Sequence, residues 1–269
     1  MIFRIQLARA FCRTLALSAL MGSCQGQVSA GSVDLNALLA RTNAQVTGFL
    51  DQFSDVKCTE QVEQAKLDKD GKVELKQEST YDYLVILTSE GGELNLSESR
   101  LAVHEAKKNK KNLPLLVSNG FATLFLVFHP YYAASFDFTL AGDEVIDGQK
   151  LVKVSFKHIG GTRSPAALAL RGRDYPLELS GTAWINPQNG MISRIEAGIE
   201  DSLEDVGLKE LHSEVDFAPP PFHDMKEPYW FPVVATVEVE TPRQHWRNTH
   251  RFTDYKRFSV TTEEQVATK

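Results

Sequence analysis

The sequence lacks the short motifs that mark the common enzymatic chemistries. It has no G-x-S-x-G nucleophile elbow, no P-loop, no G-x-G-x-x-G dinucleotide fingerprint and no pair of C-x-x-C motifs. Ser54 and Lys57 do form an S-x-x-K match, but the S-D-N and K-T-G motifs that accompany this nucleophile are absent. The sequence therefore predicts a non-enzymatic protein without a cofactor.

Cysteine is scarce as well. Of the 3 cysteines, Cys12 and Cys24 lie in the N-terminal segment, and only Cys58 falls inside the predicted domain. No disulfide can form within that domain, so a hydrophobic core has to hold it together. With 269 residues, of which 42% are hydrophobic, the chain is long enough to build one large core.

The sequence also has no excess of basic residues over acidic ones. The chain has 29 Lys and Arg residues against 35 Asp and Glu residues, a formal net charge of -6. Removing the N-terminal segment takes away Arg4, Arg9 and Arg13 and no acid, which leaves 26 basic residues and a net charge of -9. Such a surface repels nucleic acid, so we expect no nucleic-acid partner.

The apolar run near the N-terminus is too short for a lasting membrane anchor. It covers residues 15–21, whereas roughly 20 apolar residues are needed to span a bilayer. Three arginines precede the run, and small and polar residues follow it, which is the layout of a secretory signal peptide. We therefore expect an exported protein in the periplasm, or associated with the outer membrane, of a bacterium.

Two cleavage sites compete at the end of this segment. The tripeptide ending at Ala30 fits the small-x-small rule and leaves Gly31 as the first mature residue. The tetrapeptide ending at Cys24 resembles a bacterial lipobox, in which Cys24 is the lipidated first residue. Both alternatives give a signal segment within residues 1–30 and a single β-rich domain over residues 31–269.

Hydrophobic residues recur first at helical and then at strand spacing. Leucine, valine and phenylalanine side chains between residues 35 and 53 fall on one stripe of a helix that Asp34 can cap. The pattern then alternates, which predicts strands at 56–64, 81–87 and 94–103 with turn signals between them. Residues 83–87 are apolar at every position, and this predicts a strand that is covered on both faces.

An apolar insertion interrupts the alternating pattern. Residues 113–128 are rich in Leu, Phe and Val but contain Pro114 and Gly120, so periodicity does not separate helix from strand. We expect a short helix or helix-loop that crosses one face of the sheet.

Alternation returns after the insertion. Asp147-Gly148 and residues 186–190 are hairpin turns, and residues 160–176 are predicted to be a loop. About ten strands, one clear helix and no βαβ alternation predict a mainly β fold. This fold is a large antiparallel up-and-down sheet, with one N-terminal helix and a short apolar helical insertion covering one face.

The hairpin over residues 181–196 carries a family resemblance. It reads G-T-A-W-I-N, turns at Gly190 and continues as I-S-R-I-E. This resembles the G-x-x-W-I-D … G-x-I-x-R-I strand pair of the periplasmic and outer-membrane lipoprotein-localisation (LolA/LolB-like) half-barrel superfamily, with Asn186 where Asp is more usual. Gly181 and Gly190 serve backbone geometry in this pattern, and Trp184 and Ile195 serve packing. The resemblance implies a sheet curved into a half-barrel with a concave apolar surface, but not lipoprotein traffic itself.

These observations lead to one main functional expectation. The protein is an exported envelope protein that holds an apolar or acylated ligand, such as a lipid or a lipoprotein acyl chain, in the concave sheet. The insertion carries more apolar surface than one stripe on the sheet requires, so we expect it to act as a lid. The predicted wall and lid residues are Tyr83, Val85, Leu87, Phe121, Leu124, Phe125, Leu126 and Phe128.

Two other functions remain open. One is an envelope interaction or structural lipoprotein whose sheet has no cavity. The other is a metal-assisted hydrolase, because His212, Glu214 and Asp216 alternate onto one face of a strand. A solvated sheet face explains the same pattern, and we expect these side chains to bind no metal. His245 and His250 are five residues apart, so they should point to opposite faces.

Overall fold

The fold consists of a helix and a short cover packed on one large antiparallel sheet. Residues 1–32, with the predicted signal segment and both cleavage sites, lie outside the described residues, as do residues 105–120 of the predicted insertion. The computed structural model describes parts of one compact unit, Val33–Lys269, namely residues 33–53, 56–90, 93–104, 121–170, 173–219 and 230–257.

Helix α1, Leu35–Phe53, begins where the sequence predicts. The Asp34 carboxylate accepts hydrogen bonds from the backbone N–H groups of Asn36 at 3.0 Å and Ala37 at 3.3 Å, and this satisfies two donors that the helix itself cannot pair. The apolar stripe of the helix is buried at Leu38, Val46, Phe49 and Leu50. Both the predicted helix and its cap are confirmed.

Twelve strands follow in the described part of the chain, two more than the sequence predicts. Their bounds are β1 Val56–Leu67, β2 Val73–Glu90, β3 Glu93–His104, β4 Phe136–Ile146, β5 Gln149–His158, β6 Ala167–Leu170, β7 Arg173–Pro176, β8 Leu179–Ile185, β9 Ile192–Ile199, β10 Glu210–Ala218, β11 Phe231–Glu240 and β12 His245–Arg257.

Ten of these strands form one open antiparallel sheet. Their spatial order is β3-β2-β1-β12-β11-β10-β9-β8-β5-β4, while β6 and β7 pair only with each other. The sheet therefore contains two up-and-down meanders that meet where β1 pairs with β12, a junction that we call the β1–β12 seam. The open sheet with its helix and cover confirms the predicted mainly β half-barrel.

The predicted insertion connects the two edges of this sheet. The edge strands β3 and β4 are consecutive in the chain, and the described part of their connection is a 3₁₀ helix, Phe121–Phe128, followed by the short helix α2, Pro130–Ala133. We call the 3₁₀ helix the cover helix. It packs against α1 and lies over β9, β10 and β11, which confirms that the insertion crosses one face.

One face of the sheet lies under α1 and the cover helix, and we call it the covered face. Registered neighbours on β5, β8, β9, β10 and β11 supply its apolar floor, and each of them is at most 1% exposed. These residues are Val154, Ala183, Ile195, Val215 and Ala235. The opposite face carries the alternate, more polar positions of the same strands.

The hairpin of β8 and β9 needs its two glycines for close packing. A Cβ atom on Gly181 would lie 2.0 Å from the carbonyl oxygen of Glu196. Gly190 has a φ of +76°, and a Cβ atom there would lie 2.8 Å from the Thr42 nitrogen of α1. Only a residue without a side chain fits at either place, so the predicted role of both glycines in backbone geometry is confirmed.

Two local predictions are wrong. Residues 83–87 are not covered on both faces, because Tyr83 and Val85 are buried while Ile86 is 44% exposed. The covering elements that the structure describes lie on one side of the sheet, so an apolar side chain on the other side stays in contact with water. The predicted loop at 160–176 also contains the β6–β7 hairpin, whose strands of four residues each are too short for a clear alternating pattern.

Candidate functional site

Aromatic rings fill the space between the covered face and its cover. The Phe49 ring of α1 lies edge-on to Phe125 of the cover helix, with ring centroids 4.9 Å apart, and edge-on to Phe231 of β11 at 5.1 Å. Phe125 also meets Phe217 of β10 at 6.0 Å. Such edge-to-face pairs add to the free energy gained from burial alone. This cluster therefore ties α1 and the cover helix to the sheet.

A second aromatic cluster holds the C-terminal end of the cover helix. Phe128 lies 5.1 Å from Phe138 of β4 and 6.1 Å from Phe156 of β5, measured between ring centroids. Phe136 of β4 completes the group at 5.9 Å from Phe156. The two clusters therefore hold the cover helix at its middle and at its C-terminal end.

The cover helix is apolar on every side. Its residues Leu124 to Phe128 are all buried, although one stripe of a 3₁₀ helix, with three residues per turn, cannot bury five consecutive side chains. The surplus is buried against α1, as the contact between Phe125 and Phe49 shows. The cover helix is therefore enclosed between α1 and the sheet.

A small apolar cleft opens beside the cover helix. Its volume is about 30 Å³, roughly the share of one molecule in liquid water. Its walls come from α1, the cover helix, the β8–β9 turn and the start of β11, and its lining includes Val46, Phe49, Phe125, Met191, Phe217 and Trp230. Where the structure describes it, the space between α1, the cover helix and the sheet at this cleft is therefore small.

The predicted wall and lid residues divide into two groups. Leu124, Phe125, Leu126 and Phe128 are buried in the cover helix, over β9 to β11. Tyr83 and Val85 are buried on β2, where the Tyr83 ring lies against Phe252 of β12 with centroids 5.3 Å apart. The side chains of Leu87 and Phe121 lie outside the described part of the structure, as does Cys24. Direct contact joins Phe125 to the β9–β11 region rather than to Tyr83.

A charged network is buried at the β3 side of the covered face. Glu60 of β1 is 0% exposed, and its carboxylate accepts two hydrogen bonds from the Arg100 guanidinium of β3, at 2.6 and 2.8 Å. The Nδ1 atom of His250 on β12 lies 2.8 Å from the same carboxylate. Burial acts to raise the pKa of Glu60, but the hydrogen bonds from His250 and Arg100 outweigh it and hold that pKa below its ordinary value.

The network extends to β2. Arg100 also donates to Glu98 at 2.9 Å, and the Tyr83 hydroxyl donates to the other oxygen of Glu98 at 2.9 Å. Burial and then the negative charge of Glu98 raise the pKa of Tyr83 well above its ordinary value. Burial alone lowers the pKa of Arg100, but Glu60 and Glu98 outweigh this effect and raise it. The network therefore links β1, β2, β3 and β12 through charged and neutral hydrogen bonds.

Sequence reasoning missed this network. Glu60 and Arg100 are 40 residues apart and Glu60 and His250 are 190 residues apart, so no local pattern connects them. One signal was available, because Glu60 occupies the same face of an alternating strand as Cys58 and Val62, which are both buried. A charged residue in that row indicates a buried partner.

Cys58 lies next to this network and has little reactivity. Burial, followed by the charge of Glu60, raises the pKa of the Cys58 thiol to about 12. The thiol is therefore protonated at neutral pH, whereas nucleophilic cysteines act as thiolates. Cys58, 4% exposed, is therefore a small buried side chain of the core.

The predicted polar strand face is confirmed on β10. His212 is exposed, and Arg194 of β9 lies 2.7 Å from the Asp216 carboxylate and 3.4 Å from the Glu214 carboxylate. Arg194 also stacks near Trp184, with the guanidinium carbon 5.9 Å from the ring centroid. The cation between these two carboxylates is thus an arginine. Among the described residues, no group of three or more His, Cys, Asp or Glu side chains has the geometry to hold a metal ion.

His245 and His250 point to opposite faces, as predicted. The His245 Nε2 atom lies 2.6 Å from Glu238 at a half-exposed position, whereas His250 is buried beside Glu60.

No helix among the described residues is both long and apolar enough to span a bilayer.

Comparisons with known proteins find distant likenesses among solved structures. No protein-family model matches the sequence, and a search of curated proteins finds no match. Among solved structures, a DUF1329 family protein from Desulfovibrio piger is 11% identical with a TM-score of 0.42, covering 86% of this chain and 96% of its own. A putative outer membrane lipoprotein-sorting protein domain from Vibrio parahaemolyticus is 11% identical with a TM-score of 0.41. The match covers 84% of this chain and 93% of the Vibrio parahaemolyticus chain.

A third similar structure is LprF from Mycobacterium bovis. It is 12% identical with a TM-score of 0.26, covering 87% of this chain and 99% of its own. All three sequence identities and all three TM-scores are low.

Proposed function

We propose that this protein is an exported, non-enzymatic envelope protein that holds an apolar or acylated ligand between the covered face and its cover. The observation that carries this proposal is the cover helix, in which Leu124 to Phe128 are all buried. The segment is apolar on every side, yet it belongs to no strand ladder, and 3₁₀ hydrogen bonds are weaker than those of an α-helix. Side-chain contacts therefore hold it in place, and an apolar ligand can replace such contacts.

Burial of a long acyl chain offsets part of the cost of displacing the cover helix. Each methylene group moved from water to apolar surroundings contributes about 0.8 kcal/mol, so a chain of about a dozen methylenes contributes about 10 kcal/mol. Displacing the cover helix forfeits the contacts of Phe125 with Phe49 and Phe217. An acyl chain in the same place covers the aromatic rings of α1 and the sheet, and its burial offsets part of the cost of exposing Leu124 to Phe128.

The cleft beside Trp230 marks the entrance in this proposal. It is the place where the apolar interior already opens between α1 and the cover helix, and its lining includes Phe125 and Trp230. A chain end that enters there first meets Phe125, the ring that joins the cover helix to both α1 and β10. Trp230 therefore lies close to the ligand in the loaded protein.

Tryptophan quenching by a brominated fatty acid tests the proposal. The W184F/W246F protein retains Trp230, and the W230F/W246F protein retains Trp184 as the matched control. Trp184 shares its face with Lys153 and Arg194, opposite the covered face, and donates to Glu144 at 2.8 Å. We expect 9,10-dibromostearate to quench Trp230 saturably and to leave Trp184 unchanged. Equal quenching of both, or no quenching of Trp230, contradicts the proposal.

One observation favours a second function, that of an envelope interaction protein without a cavity. The cleft holds only about 30 Å³, so the covered face is already packed as a protein core. In that case the buried rings only stabilise the sheet. The same experiment separates the two functions, because a protein of the second kind shows no saturable quenching of Trp230.

A further inference from the structure

The edge strand β3 ends in an exposed apolar run. Leu101, Ala102 and Val103 are all exposed, and the exposed fraction is 65% for both Leu101 and Val103. Globular proteins usually protect edge strands with charged side chains, proline or bulges, because exposed apolar residues there promote association. Three consecutive exposed apolar residues are unfavourable in a folded domain unless they serve a function. The run is therefore a candidate contact surface.

The neighbouring strand β2 extends this run into a patch. Leu101 pairs with Asp82 of β2, and directly paired residues of two antiparallel strands lie on the same face of the sheet. Leu84 and Ile86 follow Asp82 at two-residue intervals and so share this face, where Ile86 is 44% exposed. The face is the one opposite the covered face. We call Leu84, Ile86 and residues 101–103 the edge patch.

Two lysines border the edge patch. Lys57 of β1 is the direct partner of Leu84 on one side and of Lys256 of β12 on the other. Both lysines are exposed, and neither forms an ion pair with a residue that the structure describes. Like charges that lie directly opposite each other on two strands are destabilising. An anionic partner relieves this repulsion, so the lysine pair favours such a partner.

The sequence places more basic charge next to the edge patch. Asp82 is an acid on the same face, but four lysines follow the end of β3 within seven residues of His104, namely Lys107, Lys108, Lys110 and Lys111. They lie outside the described residues, yet the chain itself keeps them within about 25 Å of His104. Glu105 is the single acid of that stretch. Basic charge is therefore concentrated here, although the chain as a whole is acidic.

We propose that the edge patch is a contact surface for an anionic phospholipid bilayer. Surfaces that bind at the membrane interface combine apolar side chains, which enter the boundary of the acyl region, with lysines that attract lipid phosphates. The lysine stems add apolar area, because their methylene groups lie along the surface while the ammonium groups stay in water. Both requirements are met by the apolar run and by Lys57 and Lys256.

The size of the edge patch limits its effect to orientation. A few aliphatic side chains bury less apolar area than one myristoyl chain, and a single myristoyl chain by itself gives only marginal, reversible binding. The patch therefore turns the β3 edge of the sheet towards a membrane without holding the domain there. It lies on the opposite face from the proposed acyl-ligand site, and the two proposals are independent.

A fluorescent probe on the edge patch tests the proposal. The chain from Gly31 has one cysteine, Cys58, which is buried, and its thiol has a pKa of about 12. Labelling of the L101C variant with the environment-sensitive fluorophore NBD is therefore specific for position 101. The matched control is V145C, because Val145 is 67% exposed on the other edge strand, β4, but follows two acidic residues.

The two labelled proteins are titrated at low salt with phosphatidylglycerol or phosphatidylcholine vesicles. We expect phosphatidylglycerol to increase and blue-shift the emission of the L101C probe saturably, and to leave the V145C probe unchanged. Binding to phosphatidylcholine should be at least about tenfold weaker, because its head group has no net charge. Equal responses at the two positions, equal binding of the two lipids, or no response of the L101C probe overturns the proposal.

Charge reversal distinguishes the edge patch from net charge. K57E/K256E is compared with K150E/K157E, which changes the net charge equally at two exposed positions of β5. With the probe at position 101, we expect phosphatidylglycerol binding to weaken at least about fivefold in K57E/K256E and to change little in K150E/K157E. An equal loss in the two variants shows that net charge alone governs binding, and this overturns the edge patch as the contact surface.

Discussion

Among the residues that the structure describes, Glu60 stands out on the covered face because the burial of its carboxylate has a high free-energy cost. Moving a carboxylate out of water costs several kcal/mol, and the attraction of a partner offsets this cost only when geometry and hydrogen bonds are good. Glu60 has such partners in Arg100 and His250. The network therefore stabilises the sheet only as a complete set, and removal of one member leaves an uncompensated buried charge.

Arg100→Ala tests whether the network stabilises the sheet only as a complete set. We expect a loss of about 3–5 kcal/mol in the free energy of unfolding, because Glu60 and Glu98 both lose their cation. Lys76→Ala is the matched control, since Lys76 also pairs with two carboxylates, Glu63 at 2.8 Å and Glu78 at 2.9 Å, but at exposed positions. Its loss should be much smaller than that of R100A, because exposed ion pairs contribute little to stability. Urea unfolding at neutral pH measures both, and similar losses contradict a special role for the network.

Glu60→Gln tests the pH dependence of the same network. The pKa of Glu60 is lower in the folded protein than its ordinary value of 4.5. Its ionised form therefore stabilises the fold fully above that ordinary value, and this contribution is lost as the pH falls through the lower folded pKa. The unfolding free energies of wild type and E60Q should differ at neutral pH and converge as the pH falls through this window. Parallel curves contradict the assignment.

At the scale of elements, α1 and the β8–β9 hairpin are fitted to each other. The Arg41 side chain donates to the carbonyl oxygen of Pro187 at 3.0 Å, and the backbone of α1 touches Gly190. The hairpin turn therefore limits how closely the N-terminal half of the helix approaches the sheet. Any side chain at Gly190 pushes the helix away from the sheet.

Two variants, Gly190→Ala and Gly71→Ala, distinguish the effect on stability of contact with α1 from the effect of backbone strain. Both glycines have a φ of +76°, but a Cβ atom meets nothing within 4 Å at Gly71 and lies 2.8 Å from α1 at Gly190. We expect G71A to cost about 1 kcal/mol, the strain of a left-handed alanine, and G190A to cost about 2–4 kcal/mol because overpacking adds to it. Urea unfolding of the two variants makes the comparison, and equal losses contradict the contact with α1.

Phe125→Ala tests the cover helix. The ring is 2% exposed, so its removal should cost about 3–5 kcal/mol in the ligand-free protein. Phe156→Ala is the matched control, since Phe156 is equally buried but belongs to β5. If an acyl chain displaces Phe125, a fluorescent fatty-acyl probe should bind F125A more tightly than wild type. Weaker binding to F125A than to F156A contradicts displacement of the cover helix.

Elements were predictable from sequence where their signals are local. The Asp34 cap, the Asp147-Gly148 turn and the 186–190 turn each depend on a few adjacent residues, and the structure has all three. The exposure of Ile86 was not predictable, because the side of the sheet that α1 and the cover helix occupy is a tertiary property. The same limit applies to the candidate site. Sequence identified the apolar residues of the cover helix, but the pairing of Phe125 with Phe49 and Phe217 depends on contacts between distant segments.

For the whole molecule, the N-terminal segment decides whether the domain is free or anchored. If the lipobox ending at Cys24 is used, acyl chains hold the protein on a membrane, and the net negative charge of the domain does not contribute to attachment to anionic lipid. If cleavage precedes Gly31, the mature chain carries no anchor of this kind. Both alternatives remove Arg4, Arg9 and Arg13.

Cys24→Ser distinguishes these alternatives. We predict that the variant moves from the membrane fraction to the soluble fraction if Cys24 is lipidated, because the attachment depends on acyl chains. The mass of the mature wild-type N-terminus provides an independent measurement. Unchanged fractionation of C24S contradicts lipidation, and a mature protein that retains Arg4 to Arg13 contradicts the signal segment altogether.

The β1–β12 seam has a consequence for the order in which the chain folds. Each meander forms from neighbouring hairpins, whereas the seam joins residues such as Glu60 and His250 that are 190 positions apart. Closing a flexible loop of that length costs on the order of 5 kcal/mol in entropy, far more than closing a hairpin. The two meanders should therefore form first and the seam last, with Glu60 exposed until His250 arrives. Until then β1 and β12 are unpaired edges, so slow closure of the seam is the stage at which this protein is most prone to aggregate.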